Sequence, residues 1–183
     1  MMPSSSFSAL LLNNPIQLAP AIFRTYNLLR EKNIDSAEKL DEITASVKTE
    51  MKEAHKQIRK IDGKIATANE TIKYLDRTHS NKKIWDNYIR SGRFSSFCES
   101  HRADLMIYES AVAFLKRNNV SPDADPDTYR DQAADLEKQR TILYTDLQGL
   151  QKERKELDMI KQNVDIIMND TKEKQREKRK VRE

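Results

Sequence analysis

Glycine and proline are scarce in this chain: three glycines and five prolines in 183 residues. Long strands and tight turns depend on other compositions, so the shortage points to long helices. A phosphate loop of the G-x4-G-K type or a dinucleotide-binding glycine motif is absent as well. A single cysteine, Cys98, excludes an intramolecular disulfide and fits a reducing cytosol. Aromatic residues make up 7% of the chain, too few for a large globular core. No run approaches the ~20 apolar residues that span a bilayer. The apolar patch from Phe7 to Leu12 has no preceding Lys or Arg and is too short for an export signal. Together these absences imply a soluble, cytoplasmic protein with no membrane partner.

Charge is what the chain has in quantity: 34% of residues are Asp, Glu, Lys or Arg, against 37% hydrophobic. The net charge of +4 is unevenly placed. Residues 171–183 hold seven Lys/Arg and three Glu, so they carry all of it. The basicity is a terminal feature, suited to phosphate, an acidic protein face or solvent.

Apolar spacing sets out the organisation. Residues 1–14 read as an N-terminal arm and 15–35 as a first helix, with Pro20 in its first turn and a face of Ile22, Phe23, Tyr26, Leu28 and Leu29. Ser36 suits the N-cap of the next helix, expected over 36–78. There Leu40, Ile43, Val47, Met51, Ala54, Ile58, Ile61, Ile65, Ala68, Ile72 and Leu75 recur at spacings of three and four, a heptad seam. A seam of this length needs a partner. Leu136, Leu143, Leu150, Leu157 and Val164 recur every seven residues, with Ala133, Leu147 and Met168 at companion positions, which predicts a return helix over 127–170. Arg140, Arg154 and Lys161 also fall at companion positions, where alkyl stems line the seam and charges stay in water. Gly63 and Gly149 lie in mid-helix, either allowing close helix approach or merely tolerated on exposed faces.

Between the long helices, residues 79–126 form a small aromatic-rich module holding the single Trp, three of five Phe and two of six Tyr. It is expected to hold one helix carrying Ile84, Trp85, Tyr88 and Ile89, a break at Ser91-Gly92, and a second helix through Phe97 to Leu115. Residues 171–183 form a basic tail. The expected fold is therefore all-α: a long antiparallel coiled-coil helix pair with a small helical module at one end.

Two stretches are distinctive: IWDNYIRSGRFSSFCESHRADLMIYESAVAFL at 84–115, with Phe97, His101, Asp104 and Ala111 at an F-x3-H-x2-D spacing, and KELDMIKQNVDIIM at 155–168, with Lys161, Asn163, Val164 and Asp165. On these, the segment from about Asn14 to Asp170 resembles the helical region that follows the catalytic domain in mobilisation relaxases of Gram-positive conjugative elements. A relaxase nicks DNA with a tyrosine and a histidine-held metal in a preceding domain. His55 and His79 are 24 residues apart on one expected helix, ~36 Å, so they cannot share a metal. The resemblance thus implies an accessory module of a mobile element without nickase activity.

Other candidate sites lack a half. Cys98 and His101 are i, i+3, without an oxyanion-forming glycine turn or a second zinc-ligand pair. A His101–Asp104 hydrogen bond that orients the helix is the better reading. Asp123, Asp125 and Asp127 alternate, but the glycine and terminal Glu of a calcium loop are missing, so helix capping is preferred. No catalytic residue, metal or cofactor is expected, and the chain reads as a non-enzyme.

The basic positions remain. Arg77, Lys82, Lys83, Arg90, Arg93 and Arg102 surround the interleaved Trp85, Tyr88 and Phe94, a pattern suited to nucleic acid. Lys172, Lys174, Arg176, Lys178, Arg179, Lys180 and Arg182 in the tail suit salt-sensitive phosphate binding. The expected function is binding to DNA or a nucleoprotein complex. The alternative is an inhibitor of a host defence nuclease such as a CRISPR effector, acting by direct protein binding. A homodimer through the seam is a further expectation.

Overall fold

A computed structural model describes residues 20–180. The expected arm at 1–14, and Arg182, lie outside the described residues. Every described element is an α-helix: α1 (Pro20–Glu31), α2 (Ala37–Arg90), α3 (Ser95–Ser100), α4 (Arg102–Arg117) and α5 (Pro126–Lys180).

The helix ends follow local chemistry. Ser36 caps α2, its Oγ accepting the Lys39 amide at 3.2 Å. Asp125 caps α5, its Oδ1 accepting the Asp127 amide at 3.0 Å, with Pro126 as first helical residue. Three C-termini share one device. Asn33, Gly92 and Asn119 take the left-handed conformation, at φ 52°, 70° and 56°. The following amides of Ile34, Arg93 and Val120 then reach back to the carbonyls of Leu29, Tyr88 and Leu115, at 2.8, 3.1 and 2.9 Å.

Two boundaries differ from expectation. α2 does not end at 78 but runs to Arg90, so the expected helix around Trp85 is its last three turns. His79-Ser80-Asn81 are modest helix formers, but none removes an amide, and the ladder continues until Gly92. α5 likewise runs past 170 to Lys180, so the backbone of residues 171–180 is helical.

The described residues divide into two compact units, and α2 and α5 contribute to both: one takes in α1, α2 as far as His55 and α5 from Thr145 on, the other residues 56–144. In the first unit, Leu29, Ile34, Leu40 and Val47 share a core with Leu157, Ile160, Val164 and Ile167. The buried face of α1 includes Thr25, which is fully covered, while Phe23 is 56% exposed. The expected face thus shifts by replacing an aromatic with a polar residue. Thr25 earns burial by accepting a hydrogen bond from Asn163 Nδ2 at 2.7 Å. A second shift occurs on α5. Ile160 and Ile167 are buried, whereas Lys161 is exposed and pairs with Asp41 at 2.5 Å. A third helical wall, α1, widens the face that α5 must bury, and the strict heptad becomes a broader stripe.

In the second unit, Ile58, Ile65, Ala68 and Leu75 of α2, Ala133 of α5 and Leu105, Ala111 and Leu115 of α4 are buried. The Tyr74 and Phe114 rings stack at 3.8 Å. Arg140 pairs with Asp62 at 3.2 Å, and Arg130 with Asp76 at 2.7 Å. Both mid-helix glycines open onto space: a Cβ at Gly63 or Gly149 would meet nothing within 4 Å, so neither marks a close helix approach.

Candidate nucleic-acid interface

The end of α2, α3 and the start of α4 form the aromatic module. Trp85 stacks on Tyr108 at 4.8 Å, Tyr88 lies 6.3 Å from Phe97, and Phe97 lies 4.5 Å from His101. The rings expected to interleave with cations are therefore largely engaged with one another, and Phe94, 68% exposed, is the exception. Burial pushes the Tyr108 phenol above its ordinary range, outweighing the opposing pull of Lys82.

Arg77, Lys82, Lys83, Arg90, Arg93 and Arg102 are all exposed, but they are not one surface. Lys83 and Arg90 are seven apart on α2 and share a face, with Asp86 between them. Arg77 is turned about 120° from Lys83 at ~100° per residue, and its guanidinium sits 5.4 Å over the Tyr74 ring. Lys82 is claimed by Asp123, which ties α2 to the segment before α5; the contact raises the Lys82 pKa and lowers that of Asp123. Arg93 carries a left-handed backbone at φ 62°, which sets it beyond the helix end. Among the described residues, no carboxylate pairs with Lys83, Arg90, Arg93 or Arg102.

In the tail, Lys172, Arg176 and Arg179 are exposed on α5, and spacings of four and three place them on one helix face. The backbones of Lys174, Lys178 and Lys180 belong to the same helix, while their side chains lie outside the description. The tail and the module cations fall in different units.

The remaining candidates are modest. Cys98 is half-buried. His101 Nδ1 lies 3.6 Å from Asp104 Oδ2, an ion-pair distance rather than the expected hydrogen bond. Among the described residues, no three His, Cys, Asp or Glu gather as a metal site, and no helix is long and apolar enough to cross a membrane. The cations that sequence reasoning placed at companion positions each have a carboxylate, Arg154 pairing within α5 with Asp158 at 3.0 Å. Lys32, by contrast, carries no periodic signal, yet it bridges Glu153 at 3.0 Å and Glu156 at 3.6 Å.

No protein-family model, curated protein or solved structure matches the chain.

Proposed function

We propose that this protein is a non-enzymatic, cytoplasmic binding module of a mobile genetic element, acting on DNA or a nucleoprotein complex. It uses a long antiparallel coiled-coil pair to carry its contacts. The ion pairs Asp41–Lys161, Asp62–Arg140 and Asp76–Arg130 support the antiparallel reading, since numbers rise on α2 as they fall on α5. The observation that carries the binding reading is the set of exposed cations without carboxylate partners among the described residues: Lys83, Arg90, Arg93 and Arg102 in the module, and the Lys172, Arg176 and Arg179 face of the tail. Contacts of this kind go to phosphate and read no sequence. The relaxase-like stretches at 84–115 and 155–168 agree with a mobile-element origin.

Fluorescence anisotropy with a labelled duplex and a labelled single strand, over a salt series, tests the proposal. Binding is expected to weaken with salt, with a slope of log K against log [salt] of about −0.9 per duplex phosphate contacted and about −0.7 for single strands. Removing residues 171–183 is expected to cut affinity and flatten the slope while leaving the helical circular-dichroism spectrum and the melting temperature within a few degrees. Absence of binding at low salt sinks the nucleic-acid reading. Unfolding on truncation shows instead that the tail belongs to the core.

The second reading, direct inhibition of a host defence nuclease, is favoured by one observation. Trp85 and Tyr88 are stacked within the module, which reduces the aromatic surface available to bases.

A further inference from the structure

Helix α4 is covered on one side only. Leu105, Ala111 and Leu115 are buried, and Tyr108 stacks on Trp85. On the other side, Ala103, Met106, Ile107, Ser110 and Ala113 are all exposed. At ~100° per residue these five fall within about 120° of arc, a strip narrowed at its C-terminal end by Phe114, which shares the arc but stacks on Tyr74. Met106 is 60% and Ile107 39% exposed, the two large apolar side chains of the strip.

The strip has charged ends of one sign. Arg102 opens it, and Lys116 and Arg117 close it. Among the described residues, no carboxylate pairs with any of the three. Arg117 is exposed, and its Nε donates to the Ala113 carbonyl at 3.3 Å. Of the two carboxylates on α4, Asp104 faces His101, and Glu109 lies midway along the flank, seven residues from both Arg102 and Lys116, so the excess positive charge is confined to the strip's ends.

We infer that the outer face of α4 docks an amphipathic helix of a protein partner, whose apolar stripe is flanked by Asp and Glu. The apolar centre asks for side chains at i, i+3, i+4 and i+7, the usual anchors of a helix laid against an apolar strip. The cationic ends ask for carboxylates at both ends of that helix. Arg102 to Arg117 span ~22 Å, which matches about four turns of partner. A second copy of this chain is a poor occupant, because antiparallel packing would set Arg102 against Lys116 and Arg117 of the other copy. Nucleic acid would satisfy the arginines and leave Met106 and Ile107 without a role. The inference is separate from the phosphate-directed reading, with which it shares only Arg102.

The test is a display library of 16-residue helical peptides, randomised at the stripe and flanking positions. It is selected on the full-length protein, and the enriched peptides are then titrated against both the parent and a Met106→Ser, Ile107→Ser variant. Both side chains are exposed, so the variant is expected to melt with the parent, which circular dichroism verifies. Enriched peptides are expected to pair an apolar stripe with Asp/Glu flanks and to bind the variant at least about tenfold more weakly. Arg102→Glu with Arg117→Glu is expected to reverse the preference toward Lys-flanked peptides. The inference is overturned by enrichment without acidic bias, by equal binding to parent and variant, by displacement of the peptide by an oligonucleotide, or by self-association that the serine variant abolishes.

Discussion

Among the described residues three threonines are buried, and they are not equivalent. Thr71 and Thr78 donate to carbonyls of their own helix, those of Thr67 and Tyr74, both at 2.9 Å. Thr25 instead accepts from Asn163, linking α1 to α5. Thr78→Val is therefore expected to be close to neutral in urea unfolding, since the carbonyl keeps its place in the helix ladder. Thr25→Val is expected to cost about 1 kcal/mol, by leaving the Asn163 amide without its acceptor. Charge gives a second test at this scale. The hydrogen bond to Glu153, with the nearby Glu156, holds the Lys32 ammonium above its ordinary pKa. Its contribution to stability is fully present below the unfolded lysine value and is lost as pH rises through the raised folded value. The Tyr108 phenol, raised by burial, acts in the same direction, because the unfolded phenol ionises first. Urea midpoints are thus expected to hold steady from about pH 7 to 9 and to fall above about pH 10. Lys32→Met should flatten part of that fall, and Tyr108→Phe another part.

Among the elements, the helix stops are written in short-range chemistry, and the seams are written in periodicity. Ser36, Asp125 with Pro126, and Ser91-Gly92 were legible because a cap or a left-handed residue leaves a local signature. The 78 boundary was not legible correctly. A weak helix former interrupts nothing when packing on both sides supports the helix, and Leu75, Thr78 and Trp85 supply that packing. The glycines within α2 and α5 are the exploitable flaw. Open space surrounds both, so Gly63→Ala and Gly149→Ala are each expected to stabilise by roughly 0.5–1 kcal/mol and to add in the double variant, read as a rise in urea midpoint. A loss at either position would mean that the helix approaches a neighbour there.

At the scale of the whole molecule, part of the expected seam is buried within a single chain, while Met51, Leu136, Leu143 and Leu150 are half-buried. Leu40 and Val47 share a core with Leu157, Ile160 and Val164, so this stretch of the seam is closed within one chain. Sedimentation equilibrium is expected to return the monomer mass of 21.3 kDa at micromolar concentration. A doubled mass would mean that the seam opens and exchanges between chains. The all-helical class, the two long helices and the exposed basic positions follow from composition and apolar spacing, because apolar periodicity and scarce glycine constrain every fold the chain can adopt. Tertiary structure alone decided which polar residues go inside, as Thr25 did. It also decided which cations are spent on carboxylates, as Lys82 and Lys161 are, and which aromatics face one another rather than solvent. These are relations between residues far apart in sequence. Periodicity reports which face of a helix is buried, but not what comes to cover it.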